Sequence, residues 1–353
     1  MAEQRIRVGI VGAGANTRLR HIPGFRQIPG VEITGVVNSR PESTARVAAE
    51  FGIPKTYARW EDLIADPEID AVQIGTYPNL HAAITCAALQ AGKHVLCEAR
   101  MAASLAEAQQ MLAASEAHPN LVAQIVPSPL GLECGEFVNG LVRNRFLGEM
   151  REVVVIGAND QFWDFSRLLH WRQQRELSGV NVLMLGVLHE TVSRWIGPTS
   201  RVFSQSKTFE TTRPAPQGEV SLPVTVPDSV QIVTQLANGG RGIYHISGTI
   251  LFGPPMQIHL YGSLGTIKVE FGADEEKVWI GRANEPELRR MELPAEKKGG
   301  WRVEAEFIGA IRGEEPVRYC DFATGVQYME FTEAVAISSE ANRVIELPLT
   351  RLA

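Results

Sequence analysis

One segment near the start of the chain constrains the fold more than any other. The apolar run Arg7–Val11 is typical of a buried strand, and Gly12 and Gly14 follow it where a helical pattern begins. The first glycine permits a tight turn, and the second lets the backbone approach a pyrophosphate that lies on the helix N-terminus. The third position of this Gly-x-Gly-x-x-Gly motif holds Thr17, so we expect slightly looser helix packing there. The segment predicts a βαβ unit that binds a dinucleotide.

The same alternation of strand and helix continues to about residue 126. Short apolar runs predict further strands, and the segments between them have helical periodicity with glycines or a capping box at their ends. The predicted strands are Glu32–Val37, Ala71–Ile74, His94–Cys97 and Leu121–Val126, and the predicted helices are Pro41–Phe51, Leu80–Ala91 and Ser104–Ala117. Strands that alternate with helices form a doubly wound parallel sheet. We therefore assign residues 1–126 to a Rossmann-type dinucleotide-binding domain.

The pattern changes after residue 126. A helix, a strand and a second helix are predicted first, over Leu130–Asn144, Glu152–Ile156 and Asn181–Trp195. A series of short strands follows between Arg201 and Gly281, and two helices close the chain, Trp301–Ile311 and Ala323–Asn342. Asn238-Gly239-Gly240 separates two of the strands in the manner of a hairpin turn. These features predict that residues 127–353 form an α/β domain with a large open antiparallel sheet, which serves substrate binding and oligomerisation.

Charge and composition exclude several classes of protein. The formal net charge is −6 and there is no long basic run, which argues against nucleic-acid binding. No apolar stretch reaches the roughly 18–20 residues that a membrane span needs. The N-terminus runs directly into a predicted core strand instead of a signal peptide, so we expect a cytoplasmic protein. The four cysteines fit no zinc spacing, and we expect no metal site.

The end of the second predicted strand bears on the choice of cofactor. NAD-specific sites usually place Asp or Glu there, where it accepts hydrogen bonds from the ribose hydroxyls. This chain has Asn38, Ser39 and Arg40 instead. Asn38 carries no charge to repel a 2′-phosphate, and the other two side chains can donate to one. We favour NADP over NAD, the alternative being that Arg40 is simply an exposed residue of a turn.

Taken together, these residues resemble the glucose–fructose oxidoreductase / inositol dehydrogenase / rhizopine-catabolism (Gfo/Idh/MocA) family over essentially the whole chain. The resemblance rests on Gly12-Ala13-Gly14, residues 70–81, residues 91–98, Trp171-Arg172, Trp195-Ile196-Gly197, residues 261–266 and Glu333-Ala334. It implies hydride transfer at a hydroxyl carbon of a sugar or cyclitol. It also implies that Thr76, Pro78, Asn79 and His81 line the cofactor, with Glu98 near the nicotinamide ribose.

The predicted cofactor site gathers residues from the ends of several strands. We expect Gln124, at the end of the last strand of the first domain, to face the nicotinamide. The full predicted set is Gly12, Gly14, Ala15, Asn16, Thr17, Asn38, Ser39, Arg40, Thr76, Tyr77, Pro78, Asn79, His81, Glu98, Ala99 and Gln124.

The positions that carry acid–base chemistry in the family do not match. The family normally has Lys-Pro after the glutamate, whereas this chain has Ala99-Arg100. The later family pattern, Asp-x-Gly-x-His-x-x-Asp, aligns with Met184, Leu188 and Thr191, none of which carries an acid or base of comparable strength. The usual proton-transfer groups are therefore absent from this chain.

Three other residues are candidates for that chemistry. We rank Glu190 first and His189 second as the base, because both lie in an apolar helical segment where burial shifts pKa values. The alternative for Glu190 is an ion pair with Arg194 at i+4. His189 lies one residue past the family's histidine, and one helical step rotates a side chain by about 100°. Arg172 is expected to orient substrate oxygens, or alternatively to bridge to a structural carboxylate.

Three functions remain open at this point. The first is an NAD(P)-dependent dehydrogenase or reductase acting on a sugar-like substrate. The second is a glycoside hydrolase or lyase that uses the bound nicotinamide transiently. The third is a non-catalytic dinucleotide-binding protein. For each we expect a homodimer or homotetramer formed through the C-terminal sheet.

Overall fold

The computed structural model describes residues 5–215 and 220–349. In these ranges the strands are β1 (Ile6–Val11), β2 (Val31–Val37), β3 (Lys55–Thr56), β4 (Ala71–Ile74), β5 (His94–Cys97), β6 (Ala123–Ile125), β7 (Met150–Ala158), β8 (Thr199–Lys207), β9 (Thr212–Pro214), β10 (Ser221–Pro223), β11 (Ser229–Leu236), β12 (Arg241–Ser247), β13 (Met256–Gly262), β14 (Gly265–Phe271), β15 (Glu276–Arg282), β16 (Arg289–Met291) and β17 (Ile345–Glu346).

The α-helices of the described residues lie between these strands. They are α1 (Ile22–Arg26), α2 (Pro41–Phe51), α3 (Trp60–Ala65), α4 (Pro78–Gln90), α5 (Leu105–Glu116), α6 (Gly135–Arg143), α7 (Arg175–Ser178), α8 (Leu185–Ile196), α9 (Val303–Arg312) and α10 (Phe322–Ala341). A π-helical turn, Thr17–His21, precedes α1. Among the described residues, no helix has the length and apolar character that crossing a membrane requires.

The first sheet has six strands in the order β3-β2-β1-β4-β5-β6, and every pair in it is parallel. Its central strands are apolar because helices cover both faces of such a sheet. Ile10 and Val36, for example, are fully buried and pack against Val47 of α2. The predicted doubly wound parallel sheet is therefore confirmed.

The second sheet has nine strands in the order β16-β15-β14-β13-β7-β12-β11-β8-β17. The hairpin predicted around Asn238-Gly239-Gly240 is confirmed, since β11 and β12 pair antiparallel on either side of it. The prediction of an antiparallel sheet needs one correction, because β7 pairs parallel with β12 and the sheet is mixed. β7 precedes the other strands in the chain and lies between two later ones, β12 and β13, so no hairpin fixes its direction.

Two helices of this part of the chain begin later than the sequence suggests. α6 begins at Gly135 because the backbone N–H groups of Gly131, Glu133 and Cys134 donate to the Glu276 carboxylate instead of entering a helix. α8 begins at Leu185 because Leu183 has a φ of 45°, which no α-helix contains.

The chain divides into two compact units. The first comprises residues 1–127 together with 302–329, and the second comprises residues 128–301 together with those from 330 onward. The sequence suggested a single boundary after residue 126. The structure instead has α9 and the start of α10 packing with the parallel sheet, so two separate stretches of chain build the first unit.

Candidate functional site

The loop after β1 has the geometry of a backbone cradle. Gly12 has a φ of +86°, and a Cβ there would lie 2.8 Å from the carbonyl carbon of Gly75 and the nitrogen of Thr76. Only glycine fits this position. A Cβ on Gly14 would instead meet a single atom within 4 Å, the Gly75 oxygen at 3.6 Å. The space beside Gly14 is thus open at the carboxyl ends of β1 and β4.

Thr17, the departure from the third glycine, is packed tightly against this loop. Its side chain is 1% exposed, and its hydroxyl donates to the Gly12 oxygen at 3.3 Å. A Cβ on Gly75 would clash with both Thr17 Oγ1 and the Gly12 oxygen. The expected looser packing is therefore not seen, because the Thr17 side chain fills the space that Gly75 leaves. Ala15 and Asn16 open the helical segment, where first-turn N–H groups have no acceptor within the helix.

Asn38, at the end of β2, holds the glycine loop from the other side. Its Oδ1 accepts from the Ala13 backbone N–H at 2.7 Å, and its Nδ2 donates to Ser43 Oγ at 2.9 Å. The side chain is therefore engaged at both ends within the protein. Ser39 and Arg40 follow it and are exposed, and Arg40 makes no side-chain hydrogen bond or ion pair to any residue of the described ranges.

His81 ties together the segments that follow β4 and β5. It is 1% exposed, its Nε2 lies 3.1 Å from the Thr76 oxygen, and its Nδ1 lies 3.0 Å from the Arg100 oxygen. Burial lowers its pKa, although these backbone contacts act the other way. His81 therefore shapes the site by joining two loops.

The remaining residues of this loop differ in exposure. Pro78 begins α4, Tyr77 is 44% exposed, and the Oδ1 of Asn79 is buried without a hydrogen-bond partner among the described residues. Ala99 contributes no polar side-chain atom, and the peptide bond between it and Arg100 is cis.

A buried charge cluster lies at the same edge of the sheet. Glu98 directly follows β5, and its Oε1 accepts from Asn16 Nδ2 at 2.5 Å and from His21 Nε2 at 3.0 Å. The other imidazole nitrogen of His21, Nδ1, lies 2.5 Å from Glu304 Oε1. Residues from the glycine loop, the π-helical turn, the end of β5 and the first turn of α9 thus meet within one compact unit. We call Asn16, His21, Glu98 and Glu304 the histidine cluster.

The partners of His21 decide its charge. Burial lowers the pKa of the imidazole, but hydrogen bonds and charge interactions with Glu304 and Glu98 outweigh burial and raise it to about 9. Burial conversely raises the pKa of Glu98, and His21 outweighs it, so that this pKa falls below its ordinary value. At neutral pH the cluster therefore holds an imidazolium next to a carboxylate that retains 15% side-chain exposure.

Gln124, on β6, is turned into the protein. It is fully buried, and its Nε2 donates to Glu306 Oε1 at 3.2 Å. Its Oε1 is buried without a hydrogen-bond partner among the described residues, and the expectation that Gln124 faces the nicotinamide stays a prediction.

The residues at this edge of the sheet match the chemical groups of a dinucleotide. Gly12 and Gly75 allow the close contact between the loops after β1 and β4, Gly14 leaves the backbone bare where a phosphate group would lie, and a helical first turn follows it. Asn79 Oδ1 is an acceptor that no described residue uses, and Glu98 offers a second carboxylate oxygen. The residues at the carboxyl ends of β1, β4 and β5 therefore fit the group.

The predicted acid–base residues lie in the second unit, and Glu190 is held in a structural network there. It is 2% exposed, its Oε1 accepts from Arg194, and its Oε2 accepts from the Ser128 backbone N–H at 2.7 Å. Burial raises its pKa, and Arg194 opposes that shift. Both oxygens are used, so the geometry favours the i+4 ion pair over a role as the base.

His189 belongs to the core of the second unit. Its ring stacks on Phe331 with centroids 3.5 Å apart, and its Nδ1 lies 3.0 Å from the Tyr244 hydroxyl. Burial lowers its pKa to about 3, so the ring is neutral at physiological pH. A histidine of this kind fills space between aromatic rings, and the geometry does not support proton transfer.

Arg172 is the predicted catalytic residue that remains partly exposed. It lies in the short 3₁₀ segment Trp171–Gln173, which His170 caps by accepting from the Arg172 backbone N–H at 3.2 Å. Its guanidinium lies 4.2 Å from the centroid of the Trp171 ring, a cation–π arrangement. The contact with the ring fixes the orientation of the guanidinium in the second unit.

Sequence reasoning missed Glu304 entirely. His21 and Glu304 are separated by 283 residues, and nothing in either local pattern indicates the pairing. Only the structure reveals it, and it also shows Gly24 of α1 against Glu304, since a Cβ there would come within 2.7 Å of the Glu304 carboxylate. The structure brings the glycine loop, Asn38, His81 and Glu98 into one site, and leaves the other predicted catalytic residues in the second unit.

Comparison with known proteins gives two family-model matches. The NAD-binding Rossmann-fold model of the GFO/IDH/MocA oxidoreductase family matches residues 6–125. The C-terminal-domain model of the same family matches residues 137–268.

Several curated relatives are similar to parts of the chain. The 1,5-anhydro-D-fructose reductase of Ensifer adhaerens is 38% identical over 109 residues, which is 31% of this chain and 32% of the relative. The levoglucosan dehydrogenase of Pseudarthrobacter phenanthrenivorans is 25% identical over 260 residues, 68% of this chain and 66% of the relative. The myo-inositol 2-dehydrogenase of Thermotoga maritima is 27% identical over 107 residues, 30% and 32% of the two chains. The matches thus span between one third and two thirds of these relatives.

Solved structures share the whole fold. Levoglucosan dehydrogenase in complex with NADH and levoglucosan superposes with a TM-score of 0.88 at 22% identity, covering 98% of this chain and 100% of that one. An oxidoreductase domain protein from Kribbella flavida has a TM-score of 0.87 at 22% identity with the same coverage. At this level of identity the likeness is one of fold.

Proposed function

The chain belongs to the GFO/IDH/MocA oxidoreductase family with its NAD-binding Rossmann fold, and from this premise we propose that it transfers hydride between a nicotinamide dinucleotide and a hydroxyl or carbonyl carbon of a sugar-like substrate. One observation carries the proposal. The glycine cradle and the Glu98 carboxylate lie at the same edge of the parallel sheet and are joined by the 2.5 Å hydrogen bond from Asn16.

The chain's own residues bind and orient the cofactor. When bound, the nicotinamide supplies or accepts the hydride. Gly12 and Gly14 give the pyrophosphate access to the N–H groups of the first helical turn, while Asn38 keeps the loop in place. Glu98 accepts from a ribose hydroxyl, and His81 holds the adjoining loops together. Arg172, pre-oriented on Trp171, donates to a substrate oxygen. Glu190 and His189 are not carried forward as proton-transfer groups.

We favour NADP over NAD as the cofactor. Arg40 and Ser39 are exposed where the second strand ends, and Asn38 contributes no charge. A charge-assisted hydrogen bond contributes about 1.5–3 kcal/mol. Arg40→Ala is therefore expected to weaken NADPH binding at least about tenfold and to leave NADH binding nearly unchanged. Calorimetric titration of both nucleotides checks this, and equal losses for the two would contradict it.

The activity test uses a panel of substrates drawn from the names of the relatives: levoglucosan, myo-inositol and 1,5-anhydro-D-fructose, with NAD and NADP in both redox states. Net change of nicotinamide absorbance with any of them supports the proposal. Cleavage of a glycoside without net NAD(P)H would instead indicate transient redox chemistry. Tight nucleotide binding with neither reaction, across sugars, cyclitols and glycosides, would indicate a non-catalytic binding protein.

We also propose that the second unit forms a homo-oligomer through its large sheet. Phe203, Val233 and Ile243 lie side by side on adjacent strands, with Val233 paired in register to both of the others. They are 39%, 53% and 52% exposed, an apolar row on an open sheet face. Sedimentation velocity tests this, and a monomer at micromolar concentration would contradict it.

A further inference from the structure

The hydrogen bonds of the histidine cluster form a chain that runs from the protein interior to solvent. Glu304 retains 4% side-chain exposure, His21 retains none, and Glu98 retains 15%. The chain of hydrogen bonds from Glu304 through His21 to Glu98 therefore starts in the interior and reaches solvent at Glu98. That end lies beside the glycine loop, since Asn16 donates to the same Glu98 oxygen.

We propose that His21 and Glu304 are positioning residues that hold the Glu98 carboxylate ready for a ribose hydroxyl of the cofactor. This inference rests on the proposed function, because it needs a dinucleotide at this edge of the sheet. Neither residue touches the cofactor in this scheme. They act by fixing the orientation of Glu98.

The hydrogen bonds of Glu98 support this assignment. Its Oε1 accepts twice, from Asn16 Nδ2 at 2.5 Å and from His21 Nε2 at 3.0 Å. Its Oε2 makes no hydrogen bond to any residue in the described part of the chain. A carboxylate anchored through one oxygen leaves the other as an acceptor with a fixed direction. Because a preorganised acceptor loses little side-chain entropy on binding, anchoring raises cofactor affinity.

The backbone is shaped to let Glu304 reach His21. A Cβ on Gly24 would lie 2.7 Å from both Cδ and Oε2 of Glu304, closer than two such atoms can approach. Glycine otherwise destabilises a helix relative to alanine. Its presence in α1 gives the Glu304 carboxylate room beside the imidazole.

The charges give the scheme a pH dependence. The titratable groups that face His21 are Glu304 and Glu98, and His81 adds a weaker charge interaction with Glu98. His21 stays protonated up to about pH 9. Above that pH the imidazole is neutral, two carboxylates lose the cation between them, and the anchor on Glu98 weakens. Cofactor affinity is therefore expected to fall as pH rises through about 9.

The test measures NADH and NADPH affinity of the full chain by fluorescence titration between pH 7 and 10.5. For the nucleotide that binds, His21→Gln and Glu304→Gln are each expected to lower affinity about tenfold at pH 7.5, and the double variant no further, because both break one link. Glu304→Gln should also move the alkaline loss of affinity to lower pH, since the remaining carboxylate raises the pKa of His21 less.

Two further variants make the test independent of folding defects. Gly24→Ala displaces Glu304 without removing a titratable group, and it should lower affinity by a similar factor. Asp70→Asn is the matched control: it removes an ion pair with Arg7 immediately before β4, at the opposite edge of the same sheet, and should leave affinity and its pH profile unchanged.

The outcomes separate the two proposals. Wild-type affinity in folded His21→Gln and Gly24→Ala variants would overturn the positioning role and leave the proposed function intact. A wild-type affinity that is flat from pH 7 to 10.5 would do the same even where no variant folds. Failure of the wild-type protein to bind NADH and NADPH at all would overturn the proposed function and the positioning role with it.

Discussion

Two buried histidines, one in each compact unit, are held in opposite charge states. His21 is fully buried in the first unit, where it contacts two carboxylates, and its pKa is raised to about 9. His189 is 6% exposed in the second unit, where it contacts an aromatic ring and a phenol, and its pKa is lowered to about 3. At neutral pH the first is a cation and the second is not.

The difference shows that partners, and not burial, decide what a buried histidine does. Burial is the largest influence on both rings and acts in the same direction on both. Only the first ring has carboxylates to reverse it, at 2.5 and 3.0 Å. A buried cation with one carboxylate reaching solvent is the arrangement that the proposed positioning role requires. A neutral ring stacked at 3.5 Å on Phe331 serves the core.

The comparison predicts that the buried charges of the second unit stabilise its fold and do not contribute to cofactor binding. Arg194→Met tests this prediction with the largest expected effect. The variant leaves the Glu190 carboxylate buried, with the Ser128 backbone N–H still donating to its Oε2. Loss of one member of a buried ion pair costs about 3–5 kcal/mol. We expect urea unfolding to show a loss of that order, with the NADPH and NADH affinities of the folded protein unchanged.

The control for this prediction is the double variant Arg194→Met/Glu190→Gln, which removes the unpaired charge and should regain much of the lost stability. A large loss of cofactor affinity in folded Arg194→Met would break the division of roles between the two units.

The first unit should show the reverse behaviour. In Gly14→Val the first added carbon lies 3.6 Å from the Gly75 oxygen, an ordinary contact, so the fold tolerates it. The side chain occupies the space proposed for the pyrophosphate, and we expect the affinity for NADPH and NADH to fall about 100-fold, equivalent to about 2.7 kcal/mol. Gly140→Ala, in α6 with no atom near the added Cβ, is the control and should bind normally. Unchanged calorimetric affinity in folded Gly14→Val would show that the cradle is misassigned.

The smallest expected effect is a pH-dependent change in stability that depends on the charge state of His189. The folded-state pKa of His189 lies below the unfolded value of about 6.5, so its contribution to stability is full above pH 6.5 and is lost as pH falls towards 3. In His189→Phe this loss is absent. The free energy of unfolding of the variant minus that of the wild type should therefore be about 2 kcal/mol larger at pH 5 than at pH 8. Each pH unit below 6.5 contributes about 1.4 kcal/mol to this difference.

His21 predicts the opposite trend, because its folded-state pKa is raised. Its contribution is full below pH 6.5 and is lost as pH rises through about 9. Urea unfolding of His21→Gln should therefore approach wild type at alkaline pH. Parallel pH trends for the two variants would contradict the assignment of opposite charge states.

Local patterns predicted much of the fold and part of the site. The strand–glycine–helix segment around Gly12 and the hairpin around Gly239 are specified by neighbours in sequence, and both are present. The parallel pairing of β7 with β12 was not predictable, because a strand pattern indicates a strand and not its partner. The glycine loop therefore followed from sequence, whereas the mixed sheet did not.

For the same reason, the opposite charge states of His21 and His189 could not be predicted from sequence. In neither case is the partner a neighbour in sequence, and only the fold brings Glu304 to one ring and Phe331 to the other. For Glu190, the sequence indicated the i+4 ion pair with Arg194. It did not indicate the second partner, the Ser128 N–H, because the two residues are far apart in the chain.

The division of the first unit between two stretches of chain has a consequence for synthesis on the ribosome. Its parallel sheet is complete by residue 127, yet α9 and the start of α10, up to residue 329, belong to it. Until α9 emerges, His21 lacks the Glu304 carboxylate and the sheet lacks the surface that residues 302–329 cover. Domains generally fold as units, N-terminal first, during translation. This one must wait for more than 170 intervening residues (128–301) to be made, so a ribosome stalled within the second unit carries a first unit that still lacks residues 302–329.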